Sequence, residues 1–104
     1  MSNEAGAGKT DEKSIFNDVL HILEEMISDW DLELDGPLGR KTRLIADLEF
    51  ASIDIVQFLV AIEEHFQYRE FPFEELVMKD GRYVDEIVVD DIISFLAKHL
   101  NKSR

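Results

Sequence analysis

The sequence predicts an all-α domain: three longer helices, one short third helix, and a long loop after the first. Three observations carry that expectation. Apolar residues recur at a 3.6-residue period in three separate stretches. No stretch alternates for long enough, beside a partner, to build a sheet. The breakers Gly36-Pro37, Gly39 and Gly81 fall between the periodic stretches, where turns belong.

The first helix is expected from Asp11 or Ser14, each able to cap it, to about Trp30. Its stripe is Ile15, Phe16, Val19, Leu20, Leu23, Met26, Ile27 and Trp30, with Glu24 and Glu25 on the wetter side. Trp30 and Phe16 are read as core aromatics. Residues 1–13 are small, polar and charged, with no apolar period, and are expected to form a disordered tail before one domain over 14–104. The fragment Gly6-Ala7-Gly8-Lys9-Thr10 lacks the earlier glycine of a phosphate-binding loop, since Asn3 stands there, and no strand leads into it.

Asp31 to Ala51 is a long connection, expected to pack on the domain through Leu44, Ile45, Leu48 and Phe50. A second helix is expected from Ser52 to about Gln67, and a short one over Pro72 to Met78 with Pro72 in its first turn. Lys79-Asp80-Gly81-Arg82 reads as a turn, and Tyr83 to Val89 as an extended linker too isolated to pair. The last helix covers Asp90 to about Asn101, its apolar face Ile92, Ile93, Phe95, Leu96 and Leu100. Lys98, His99, Lys102 and Arg104 lie at its C-terminal end, where the helix dipole favours cations.

Composition narrows the function. The formal net charge is -12, so the surface repels nucleic acid and anionic lipid; the acid either complements a basic protein surface or simply keeps a concentrated protein in solution. The chain contains no cysteine, which removes disulfides, thiolate metal sites and a thiol nucleophile of its own. No apolar run approaches the roughly 20 residues of a membrane span, and the N-terminal stretch has no signal-peptide h-region. The expected setting is the cytoplasm, without membrane insertion.

The informative stretch runs from Asp47 to Phe66. Ile55, Phe58, Leu59, Ile62 and Phe66 share one helical face and form the expected core side. Ser52, Val56 and Val60 stack on another face, with Ile53 beside them. So small a domain does not easily bury both stripes. The second is either a docking surface around Ser52 or a face covered by the long loop. Asp54, Glu63 and Glu64 border it, either guiding a basic partner or forming an ordinary solvated face. Ser52 itself stands where loop becomes helix. A serine there caps helices, and the same geometry suits a phosphodiester on its Oγ, beside free N–H groups at the positive end of the dipole.

Asp47-Leu48, then Ser52-Ile53-Asp54, then Ala61-Ile62-Glu63-Glu64-His65-Phe66 resembles the attachment-site region of acyl carrier proteins. That family's usual pattern is D-L-G-x-D-S-L-D, followed by a helix ending in A-[LI]-E-E-x-F. The resemblance continues through Phe71-Pro72-Phe73-Glu74-Glu75-Leu76, Val84-Asp85-Glu86-Ile87 and Val88 to Leu96, and spans about residues 14 to 101. It implies an acyl-carrier-protein-like four-helix bundle that is not an enzyme. It further implies a 4'-phosphopantetheine arm, moved from coenzyme A to Ser52 by a phosphopantetheinyl transferase with magnesium. The arm's thiol would carry acyl groups to acyl-transferring or condensing enzymes with basic docking surfaces. Ile53, Asp54, Val56, Val60, Glu63 and Glu64 become the expected recognition residues, and Leu59, Ile62 and Phe66 the expected lining of an acyl-chain pocket. The carrier is expected to be a monomer.

Three positions depart from the pattern. Ala51 stands where the family has Asp, Glu49 where it has Gly, and Gln57 where an acid is usual. Together with an insertion at Val77 to Tyr83, they suggest a dedicated partner set, as in polyketide or other specialised pathways, rather than housekeeping fatty-acid synthesis. The alternatives are a peptidyl or aminoacyl carrier, and a carrier-like interaction module that is never modified.

Other constellations are weak. His21 with Glu24 or Glu25, and His65 with Glu64, offer two ligands and no third. A triad of Ser52, His65 and Asp54 fails because thirteen helical residues span about 20 Å. Arg40, Lys41 and Arg43 are expected to balance local acids, the alternative being contact with a partner or with the arm's phosphate.

Overall fold

The computed structural model describes residues 11–30, 32, 34 and 36–101. Most of the tail expected over 1–13 therefore lies outside the described residues, as do Lys102 and Arg104. Among the described residues, the chain forms α1 (Glu12–Ile27), α2 (Ser52–Phe66), α3 (Glu74–Val77), β1 (Met78–Lys79), β2 (Arg82–Tyr83) and α4 (Val89–Asn101). The first helix starts two residues inside the expected tail, because Asp11 is its cap and accepts the Ser14 N–H at 2.8 Å. It also stops short of Trp30. The Ser28 hydroxyl donates to the Glu25 carbonyl at 3.0 Å, and the Trp30 N–H closes a tighter turn on Ile27.

Helix α1 packs against both α4 and α2, and α3 leans on α4. The shared interior holds Ile15, Val19 and Leu23 of α1, Phe58 and Ile62 of α2, and Ile92, Ile93 and Leu96 of α4, all fully buried. Each such side chain contributes about 1.5–3 kcal/mol when taken from water, which is what holds helices of this length in place. The long connection adds Leu44, Leu48 and Phe50 to the same core. Ile45 does not join them. It stays 37% exposed because its turn points the neighbouring Leu44 inward instead.

The segment after α3 departs from expectation. Met78 pairs with Tyr83 and Lys79 with Arg82 in an antiparallel hairpin, so Tyr83 is a paired residue and not part of an open linker. The two-residue connection Asp80-Gly81 has positive φ at both positions, 55° and 80°. That is the turn whose twist matches the flanking strands, and Asp-Gly is its favoured sequence. Further on, Val88 makes an antiparallel bridge with Arg43, tying the long loop to the start of α4.

His99 lies in the last turn of α4, as expected, and is buried there: it is 4% exposed, and its Nε2 donates to Glu75 of α3 at 3.0 Å. The ring also lies against Phe95, with centroids 4.6 Å apart. Lys98, in the same turn, is exposed.

Candidate functional site

The stretch leading to Ser52 is held at several points. Residues Arg43 to Glu49 form a single turn, in which Asp47 and Leu48 both donate to the Arg43 carbonyl and Glu49 to that of Ile45. The Asp47 carboxylate caps this turn through the Arg43 N–H at 2.8 Å and pairs with the Arg43 guanidinium at 3.0 Å. Those bonds from Arg43, side chain first and backbone second, hold the Asp47 carboxyl below the usual carboxylate range. At the open start of the turn, Ile45 and Ala46 donate to the two oxygens of Glu86, at 2.8 and 2.9 Å.

The turn ends at Glu49, whose φ is 60°. This left-handed backbone is one that glycine adopts without steric cost and other residues do not. Phe50 then plugs into the core, edge-on to Trp30 at 5.3 Å and to Phe58 at 6.2 Å. Trp30 is thus a packing residue, as expected, while Phe16 lies under the Arg40 guanidinium at 5.9 Å. With Phe50 fixed, the chain enters α2 at a defined point.

Ala51 is the residue before the helix, in extended conformation, and Ser52 is the first helical position. Ser52 is therefore not the cap. No side chain caps α2 from its N-terminal side, because Ala51 has only a methyl group. Asp54 partly compensates by accepting the Ala51 N–H at 2.8 Å. The Ser52 side chain is exposed, and its hydroxyl has no hydrogen-bond partner among the described residues.

The second stripe of α2 is open. Ile53 is 60% exposed, Val56 53% and Val60 42%, and the long loop does not cover them. Gln57 and Glu64 are exposed beside them, with Asp54 and Glu63 half-buried. Three aliphatic side chains, an exposed hydroxyl and three carboxylates therefore share one surface. Such a face can bind a partial apolar surface rimmed with cations. Of the expected pocket residues, Ile62 is fully buried and Leu59 and Phe66 are half-buried. Two surface clefts lie elsewhere, one along Leu34 to Glu49 and one between α3, the hairpin and α4. None of Leu59, Ile62 and Phe66 lines either.

The basic cluster balances acids, as expected. Arg40 reaches Glu12 and Asp90, both at 2.9 Å, and Lys41 lies 4.0 Å from Asp90. The bond to Glu12, and next that to Asp90, raises the Arg40 pKa. His65 does more than sit on a solvated face, since its Nε2 lies 3.4 Å from Asp18 of α1. His21 pairs with Glu25 within α1 at 3.1 Å. Among the described residues, no three His, Asp or Glu side chains group to hold a metal ion, and no helix is long and apolar enough to cross a membrane.

Sequence reasoning missed Glu86, whose carboxylate also takes the Ile87 N–H at 3.0 Å. Nothing in a lone Glu forty residues from the turn it caps announces that role. Comparison with family models, curated proteins and solved structures finds no match to this chain.

Proposed function

We propose that the chain is an acyl carrier protein, a non-catalytic domain of the carrier-type four-helix bundle with a 4'-phosphopantetheine arm on Ser52. The observation that carries this reading is the Ser52 hydroxyl. It is exposed and unpartnered among the described residues, on the first residue of α2 and beside three exposed aliphatic side chains. A serine needed only to cap the helix would stand one position earlier and spend its oxygen on the backbone. A phosphodiester on this oxygen would lie by the first N–H groups of α2, where the helix dipole stabilises negative charge.

The carrier would present acyl thioesters to acyl-transferring or condensing enzymes in fatty-acid, polyketide or related biosynthesis. Ile53, Val56 and Val60 would meet the apolar part of a partner, and Asp54, Glu63 and Glu64 its basic rim. We assign it to the cytoplasm, as a monomer. An acyl chain would have to part α2 from its neighbours near Leu59, Ile62 and Phe66, because neither surface cleft reaches them.

One observation favours a second reading, an unmodified interaction module: Ala51 leaves α2 without the capping side chain that the attachment motif usually supplies. Incubation with coenzyme A, magnesium and a broad-specificity phosphopantetheinyl transferase separates the two. The intact mass of the wild type rises by one phosphopantetheine, and that of Ser52→Ala does not. A wild type that never gains the mass leaves the interaction module as the better reading.

A further inference from the structure

We infer that Glu86 is a positioning residue for the Ser52 attachment site, an inference that rests on the carrier reading above. Glu86 belongs to the segment before α4, far from Ser52 in sequence. Its carboxylate nevertheless accepts three backbone N–H groups, from Ile45, Ala46 and Ile87, at 2.8, 2.9 and 3.0 Å. The first two are the open donors of the turn that delivers the chain to α2. A turn of this kind leaves its leading N–H groups without internal acceptors. Asp47 takes the Arg43 N–H, and Glu86 takes the next two left open.

The surrounding bonds fix where that carboxylate stands. Leu44 donates to the Ile87 carbonyl at 2.9 Å, Val89 to that of Thr42 at 2.9 Å, and Asp90 to that of Arg40 at 2.8 Å. The start of α4 is thus a rigid rail along the loop, and Glu86 is the point where a side chain grips it. On the other side of the turn, Glu49 holds a left-handed backbone that opposes the arrangement. A strained residue persists where its surroundings over-determine it, and the bonds to Glu86 are part of those surroundings. Without them the turn can relax at Glu49, and the surface in front of Ser52 loses its fixed shape.

The consequence for modification is specific. A transferase that reads the turn and the start of α2 together binds only the ordered form. Its apparent affinity then falls in proportion to the fraction ordered, while the chemistry at the Ser52 oxygen is unchanged. Loss of Glu86 therefore raises KM for the carrier and spares kcat.

The experiment compares wild type, Glu86→Gln, Glu86→Ala and Ile93→Val with a broad-specificity transferase and coenzyme A, following mass gain and amide exchange. Glu86→Ala speeds exchange at Ile45 and Ala46. If about a tenth of the turn stays ordered, KM rises about tenfold with kcat within about twofold. Glu86→Gln, which keeps one carbonyl acceptor, falls between, and covers the case in which Glu86→Ala fails to fold. Ile93→Val, a core truncation in α4, lowers stability without moving KM. Faster exchange with unchanged KM in a folded Glu86 variant overturns the inference, as does an equal rise in KM for Ile93→Val. A wild type that is never modified is a different failure, visible in that arm alone, and it removes the carrier reading itself.

Discussion

The Asp54 carboxylate accepts the Ala51 N–H at 2.8 Å, and the Ala51 side chain offers nothing in return. In a complete capping box the residue before the helix also supplies a side-chain oxygen to the N–H three positions on. Here the Asp54 N–H reaches only the Ala51 carbonyl, at 3.0 Å. Half of a reciprocal pair is present, just beyond a turn that is itself capped from a distance.

Ala51→Ser should therefore stabilise the domain by about 1 kcal/mol, and Asp54→Ala should destabilise it by a similar amount. Urea unfolding followed by circular dichroism reads both. An Ala51→Ser midpoint no higher than wild type would mean that the start of α2 already frays in solution.

Glu49 and Gln67 both hold left-handed backbone, at φ 60° and 55°, and both are exposed. Gln67 closes α2, with the Tyr68 N–H returning to the Glu63 carbonyl at 3.1 Å, the bond of a glycine-type helix stop. Glycine relieves about 1–2 kcal/mol of steric cost at such a position and gives back part of it as unfolded-chain entropy. Glu49→Gly and Gln67→Gly should each raise stability by up to about 1 kcal/mol. Glu49→Val, with a branched β-carbon, should lower it. Thermal melts of the three variants rank them directly.

The Asp47–Arg43 pair sets an acid-limb prediction. The carboxyl pKa of Asp47 in the fold lies below its ordinary 3.8, chiefly through the side-chain bond to Arg43. The unfolded chain then binds more protons on acidification, so this contribution is present above 3.8 and is lost as pH falls through the lower, folded value. Asp47→Asn should be less stable at neutral pH and should lose less on further acidification. The pair is exposed, so the difference should shrink in about 1 M salt, where charges are screened within about 3 Å.

The two stripes of α2 should respond oppositely to truncation. Phe58→Ala, at a fully buried position, should cost about 3–5 kcal/mol. Ile53→Ser and Val56→Ser should stay within about 0.5 kcal/mol of wild type, yet weaken capture by a partner enzyme with a basic docking face. Equal loss of stability from both stripes would mean that the exposed one is covered in solution.

The helices were legible because their signal is local. Asp11 before α1 and the periodic stripes of α1, α2 and α4 decide where helices form without reference to the rest of the chain. The core side of α2 followed from the same period. What was not legible depends on partners distant in sequence. Glu86 over the Ile45–Ala46 turn, His99 against Glu75, and Val88 beside Arg43 are pairings between segments whose own sequences carry no mark of one another. Two misses did have a local signal. Asp80-Gly81 is the strongest short hairpin dipeptide, and the glycine that the resembled motif carries at the position of Glu49 was a signal for the left-handed backbone found there.

The placement of α1 bears on how the molecule is made. A chain leaves the ribosome from its amino-terminal side, so α1 emerges well before α4, yet the two pack together. Ile15, Val19, Ile22 and Leu23 therefore gain their full cover only once Ile92, Ile93 and Leu96 have been added to Phe58 and Ile62. Until α4 has emerged, α1 keeps part of its apolar stripe in contact with water.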